Sequence, residues 1–129
     1  MLDVDTPRLL VLDDHADTRL LIAHVCPSSW HLTPCATCAE ARSVLTTQRF
    51  DLLVFDIRLP DGSGFDVLHF ARNHHTSCNK DVPAVAITAM GYPNPEVQLF
   101  RKGFDEYISK PFVQSDLMAL FHKHELTWP

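Results

Sequence analysis

Five short apolar segments punctuate the chain, Leu9 to Leu12, His31 to Cys35, Leu52 to Phe55, Ala84 to Ile87 and Tyr107 to Ile108, with longer stretches of helical character between them. That alternation is the pattern of βαβ units building a parallel sheet. The first, third and fourth segments are apolar at nearly every position, as strands covered by helices on both faces must be. The second and fifth are shorter or more polar, which predicts that they lie at the sheet edges. Leu21, Ile22 and Val25, and later Val113, Leu117, Leu120 and Phe121, recur at helical spacing and predict the apolar stripes by which two helices lie on the sheet. Pro27-Ser28-Ser29 and Pro60-Asp61-Gly62 predict turns, and Gly103 predicts the left-handed residue that ends the fourth helix. Pro93 and Pro95 shorten or stiffen the approach to that helix. His74 to Asp81 is polar and aperiodic, and reads as a surface loop.

Length and charge narrow the picture. A chain of 129 residues has room for one domain with a substantial core, about residues 8–126, and none for an effector domain beside it. The net charge of -5 offers no broad basic footprint, which argues against direct nucleic-acid binding and for protein partners. The N-terminal Met1-Leu2-Asp3-Val4-Asp5 is acidic where a signal peptide would be basic, and no apolar run approaches the ~20 residues of a membrane span, so a cytoplasmic protein is expected. Cys26, Cys35, Cys38 and Cys78 form no dense disulfide pattern and are expected to be reduced.

The chemistry collects at one kind of place. Asp13 and Asp14 follow the first strand, Asp56 the third, Thr88 ends the fourth, and Lys110 follows the fifth. Ligands of an open parallel sheet bind beyond the carboxyl ends of the strands where the strand order reverses, so these distant residues are expected to converge in one crevice. Three carboxylates in one crevice repel one another, and a divalent cation and a lysine relieve that repulsion. Carboxylate oxygens are hard ligands suited to Mg²⁺, which typically keeps waters and takes a phosphate as a further ligand.

Four motifs now carry a family resemblance. Leu9-Leu10-Val11-Leu12-Asp13-Asp14, Phe55-Asp56-Ile57-Arg58-Leu59-Pro60-Asp61-Gly62, Ala86-Ile87-Thr88-Ala89 and Tyr107-Ile108-Ser109-Lys110-Pro111-Phe112 together resemble the receiver domain of two-component response regulators, from Leu9 to about Leu126. The resemblance implies the flavodoxin-like (βα)5 fold, a doubly wound parallel sheet of strand order 2-1-3-4-5 with helices on both faces. It implies that Asp56 is a phosphoacceptor, taking a phosphoryl group from a histidine kinase or a histidine phosphotransfer protein. Asp14 would ligate Mg²⁺ directly, Asp13 largely through water, and Asp56 and the backbone carbonyl of Arg58 would complete the protein's share. Lys110 and the Thr88 hydroxyl would contact phosphoryl oxygens, with small Ala89 leaving room, and Lys110-Pro111 is cis in many relatives. Thr88 and Tyr107 would form the switch that alters the face of the fourth helix, fifth strand and fifth helix. Apolar groups there, such as Leu99 and Phe100, would meet a target protein or a second copy of the chain. Such a protein is a signalling switch that catalyses its own phosphorylation and slow dephosphorylation, rather than an enzyme acting on a separate substrate.

Other readings of the same residues exist. Acids at Asp13 and Asp14 suit a helix N-terminus without any ligand, and only Asp56 and Lys110 at matching strand ends tip the balance. An aspartyl-phosphate phosphatase of the haloacid-dehalogenase type would carry a second aspartate two residues after the nucleophile, where this chain has Arg58. Cys35-Ala36-Thr37-Cys38 has the spacing of a redox pair, against a plainer reading with Thr37 as helix cap and Cys35 in the core. His74, His75 and Cys78 offer zinc-type ligands, against a plain histidine-rich loop.

Overall fold

The computed structural model describes residues 6–127, so the acidic segment 1–5 lies outside the described residues. The elements are β1 (Arg8–Leu12), α1 (Ala16–Val25), β2 (His31–Cys35), α2 (Cys38–Thr47), β3 (Leu52–Asp56), a small hairpin of β4 (Arg58–Leu59) and β5 (Gly62–Ser63), α3 (Gly64–Asn73), β6 (Ala84–Ala89), α4 (Pro95–Arg101), β7 (Glu106–Lys110) and α5 (Gln114–Thr127). The long strands are parallel and run in the order β2-β1-β3-β6-β7. With the hairpin set aside, this is the expected 2-1-3-4-5 sheet, with the more polar strands at its edges.

The unbroken apolar runs are explained by two cores. Side chains alternate across a strand, so Leu10, Leu12, Leu53, Phe55, Ala84 and Ala86 enter one core with residues of α2, α3 and α4. Their neighbours Leu9, Val11, Leu52, Val54, Val85 and Ile87 enter the other with Ile22 of α1 and Leu117, Leu120 and Phe121 of α5. Burying a Leu, Val, Ile or Phe side chain contributes about 1.5–3 kcal/mol, and a one-residue slip of register would exchange the two sets. Two positions differ from expectation. Val113 precedes the first turn of α5 and is 61% exposed, because a residue ahead of the helix does not follow the phase of its stripe. Leu99 is only 2% exposed and belongs to the core, leaving Phe100, 74% exposed, and Val97 as the open apolar residues of α4.

The expected turns form where the sequence placed them. Pro27 accepts a backbone bond from Trp30, and Gly103 takes φ 101° just beyond α4, which is short and carries Pro at its start. The loop of residues 74–81 is less superficial than its polarity implies. Asn79 is fully buried; its Oδ1 accepts the Phe50 N–H at 2.7 Å, and its Nδ2 donates to the Leu45 and Gln48 carbonyls at 3.0 and 2.9 Å. Each of these backbone groups left unpaired in the interior would cost about 1–3 kcal/mol, so one side chain ties the end of α2 to the segment leading into β3. Among the described residues no helix is long and apolar enough to cross a membrane.

Candidate functional site

The apolar runs stop where the helix layers stop, and the residues just past them are polar. Asp13 and Asp14 follow β1, Asp56 closes β3, Thr88 lies next to the end of β6, and Lys110 closes β7. All of them stand at the carboxyl edge of the sheet.

Lys110 joins the acids. Its Nζ lies 2.9 Å from Asp13 Oδ2 and 3.1 Å from Asp56 Oδ2. The Asp13 contact is a pairing of charges rather than an aligned hydrogen bond. Asp13 is fully buried and firmly held: its Oδ1 accepts the His15 N–H at 2.8 Å, its N–H donates to the Cys35 carbonyl at 3.0 Å, and Arg19 donates to its carbonyl at 2.7 Å. Asp56 Oδ1 accepts the Arg58 N–H at 3.1 Å. Asp14 Oδ1 is buried without a hydrogen-bond donor. Above these groups opens a cleft of about 950 Å³, lined by Asp14, Asp56, Met90, Tyr92, Lys110 and Phe112 among others.

Charge follows from this placement. Burial, together with the Asp13 carboxylate, pushes the Asp56 carboxyl above the usual carboxylate value, although the Arg58 N–H and Lys110 pull the other way. Burial alone would lower the Lys110 ammonium, but Asp13 and Asp56 outweigh it and hold that group above the ordinary lysine value. The cluster therefore contains the positive charge of Lys110 and a carboxylate, Asp56, whose ionised form is disfavoured.

Thr88 is buried, with its Oγ1 3.4 Å from the Ile108 carbonyl and 3.3 Å from Ser109 Oγ. Its register partner on β7 is Ser109, while Tyr107 pairs with Ala86. Thr88 and Tyr107 thus share a sheet face but stand diagonally. The Tyr107 hydroxyl donates to Glu96 Oε1 of α4 at 2.8 Å. The Lys110-Pro111 bond is cis.

Two residues near the site were not singled out by sequence. Asp61, legible only as a turn residue, accepts the N–H groups of Cys38 and Ala39 with its two oxygens at 2.8 and 3.1 Å. It therefore anchors the segment after Asp56 to the start of α2, and no local signal reveals a contact across more than twenty residues of chain. His15, visible only as the neighbour of two aspartates, places Nδ1 3.2 Å from Asp13 Oδ1 and 3.3 Å from Asp14 Oδ1.

The competing chemistries find little support. Cys35 and Cys38 are buried free thiols, each pushed up to about 11, the first by burial and then Glu40, the second by burial and then Asp61. That is the reverse of an activated redox thiol. Thr37 caps α2 as expected, its Oγ1 accepting the Glu40 N–H at 3.2 Å. His74 stacks on Phe70 and His75, and His74, His75 and Cys78 form no metal-type cluster among the described residues. Asp13, Asp14, His15 and Asp56 do form one.

The chain is 30% identical over 122 residues to an uncharacterized 14.6 kDa protein in the sodA1 3'region of Leptolyngbya boryana, covering 94% of this chain and 92% of that one. It is 32% identical to the response regulator protein PilR of Pseudomonas aeruginosa over 81% of this chain but only 23% of PilR, so it spans a minor part of that longer regulator. The receiver domain of the sensor histidine kinase PA1611 of Pseudomonas aeruginosa, solved with a magnesium ion coordinated in its active site cleft, shares the fold with a TM-score of 0.76 at 23% identity, covering 92% of this chain and 96% of that domain. The model of the response regulator receiver domain matches residues 9–122, and with the sheet order and the acid–lysine cluster already described, this chain belongs to that family.

Proposed function

We infer that the chain is a phosphorylation-dependent switch in which Asp56 takes a phosphoryl group from a phosphohistidine of a histidine kinase or histidine phosphotransfer protein. The observation that carries this reading is the bridge of Lys110 between Asp13 and Asp56 beside the donorless Asp14 Oδ1, at a cleft lined by Asp14, Asp56 and Lys110. Phosphoryl transfer asks mainly for in-line positioning and charge neutralisation. An Asp56 oxygen forms the new P–O bond as the P–N bond of the donor breaks, and the electron pair of that bond returns to the donor imidazole. The Arg58 N–H on Asp56 Oδ1 fixes the rotation of the carboxylate. Lys110 already lies within reach of Asp56 Oδ2 and would pair with a phosphoryl oxygen.

The acids fit a divalent cation, because a buried carboxylate oxygen without a donor is costly and a hard cation is its natural partner. Asp14, Asp56 and the Arg58 carbonyl would hold Mg²⁺, with Asp13 acting through water. Bound there, Mg²⁺ would offset the charge of both the acids and the incoming phosphate. Acetyl phosphate should therefore label Asp56 in Mg²⁺ and fail to do so in EDTA, as read by mass spectrometry. In titration calorimetry, Asp14→Ala should weaken Mg²⁺ binding far more than Cys38→Ser. Equal labelling in EDTA, or equal Mg²⁺ affinity in Asp14→Ala and the parent, overturns the reading.

Output runs through Thr88 and Tyr107. A phosphoryl group on Asp56 would draw the Thr88 hydroxyl from Ile108 and Ser109, vacating space into which the Tyr107 ring turns as it leaves Glu96. The face of α4, β7 and α5, where Val97 and Phe100 are exposed, would then change for a target protein or a second copy. A ligand shifts such an equilibrium only by its differential affinity for the two states. Thr88→Ala is therefore expected to accept phosphate at Asp56 while its Tyr107 ring resonances respond less to beryllofluoride than those of the parent. A full response in Thr88→Ala would break the proposed coupling. The same reading expects a cytoplasmic protein that sheds its phosphate slowly by its own chemistry.

A further inference from the structure

His15 stands at the N-cap of α1, where Ser, Thr, Asp or Asn commonly accepts an N–H from the first helical turn. Its side chain makes no such bond. The ring instead lies over the acids, with Nδ1 3.2 Å from Asp13 Oδ1, 3.3 Å from Asp14 Oδ1 and 3.2 Å from Lys110 Nζ. The bond from the His15 N–H to Asp13 Oδ1 holds the residue there. Of these neighbours, Asp14 Oδ1 has no hydrogen-bond donor.

A cation would give Asp14 Oδ1 the partner it lacks and take Nδ1 as a neighbouring ligand, while Lys110 keeps its pairing with Asp56. One ligand atom from each of Asp13, Asp14, His15 and Asp56 lies within 4.8 Å of every other. Metal–ligand bonds of about 2.1 Å put neighbouring ligands of one six-coordinate ion about 3 Å apart and opposite ligands about 4.2 Å apart. The 3.3 Å from Nδ1 to Asp14 Oδ1 matches neighbouring positions on a shared ion, while Asp13, which already accepts the His15 N–H, acts through water. The ring is 64% exposed, so no packing opposes the small adjustment.

Resting on the reading of the acid cluster as a cation site, we propose that His15 Nδ1 is a nitrogen ligand there, giving the site a preference for first-row transition cations over Mg²⁺. Imidazole suits cobalt, nickel and zinc ions, whereas Mg²⁺ selects oxygen and holds its waters. Removing His15 therefore weakens the first class and leaves the second nearly untouched. A general fall along the metal series would not show that asymmetry.

The test titrates the metal-free full chain with CoCl₂ and with MgCl₂, and follows the histidine rings by ¹⁵N NMR as Co²⁺ is added. His15→Ala and His15→Asn are compared with the parent, the asparagine supplying a helix cap without an imidazole; circular dichroism checks that each is folded. Both variants are expected to lose about tenfold or more in Co²⁺ affinity with Mg²⁺ affinity within about twofold, and the parent's first paramagnetically shifted ring is His15. Unchanged Co²⁺ affinity in both folded variants overturns the inference alone, as does a parallel loss for Mg²⁺, which marks a positioning residue. If neither ion binds the parent, the cation site falls, and the inference with it.

Discussion

Asp56→Asn is expected to lose all covalent labelling by acetyl phosphate and, in the same metal-free sample, to be more stable than the parent at neutral pH. The first effect follows from chemistry: an amide nitrogen or oxygen cannot replace the carboxylate as the attacking group. The second follows from electrostatics. Burial and the Asp13 charge raise the Asp56 pKa above its ordinary value, so in that window the folded state binds a proton that the unfolded state has lost. Stability then falls as pH rises from the usual carboxylate value through the raised folded one. Asparagine carries no charge and avoids that loss, while Lys110 keeps Asp13 as a partner. Thermal denaturation in EDTA across the acid-to-neutral range should show the two proteins converging at low pH and separating, with the variant higher, as pH rises. A variant that labels like the parent sinks the assignment of the acceptor. A variant less stable than the parent at neutral pH would mean that its contact with Lys110 outweighs the strain of the charge.

Gly64→Ala is expected to be the most damaging of the four glycine-to-alanine changes. A Cβ on Gly64, the first residue of α3, would lie 2.2 Å from the Asp56 carbonyl oxygen, 3.1 Å from its carbon and 3.2 Å from Ile57 Cα. All three are backbone atoms, so no side chain is able to swing away. Either α3 or the end of β3, which carries Asp56, must move; the Gly64 N–H also donates to the Ile57 carbonyl at 2.9 Å. Overpacking of this kind costs about 3 kcal/mol at the upper end of its usual range. Gly91→Ala is the informative contrast, since nothing lies within 4 Å of its Cβ and only its φ of +86° opposes a side chain, at about 1 kcal/mol. Urea denaturation of the two variants should show the larger midpoint shift for Gly64→Ala, with slower labelling of Asp56 as well. A midpoint like the parent's would mean that the backbone around the acceptor yields far more readily than its packing implies.

Much of this was legible from the residues. Continuous apolar runs at Leu9 to Leu12, Leu52 to Phe55 and Ala84 to Ile87 are too short for helices and fit strands covered twice, because a sheet with a wet face would alternate polar and apolar residues. From the strand ends, Asp13, Asp14, Asp56, Thr88 and Lys110 followed in turn, since a parallel sheet directs every carboxyl end to one edge. Thr37 was readable as a cap because capping is local, and the Thr37-to-Glu40 spacing brings its own partner. Helix stripes were readable for the same reason, apart from Val113, which lies just before α5 begins.

What the tertiary structure alone decided concerns groups whose partners are remote in the chain. Asn79 sits in a polar, aperiodic segment that reads as surface, yet it is buried, its amide bonding backbone groups of α2 and of the residues between α2 and β3. Leu99 and Phe100 are adjacent and equally apolar, and only the docking of α4 on the sheet sends one inward and the other out. Asp61 reaches α2, and His15 turns from its own helix to the acids. Patterning along the chain reflects local geometry and average burial, so it determines the elements, their order and the edge at which chemistry gathers. It carries no record of which remote donor meets which acceptor, because such a contact depends on the angles at which finished elements pack.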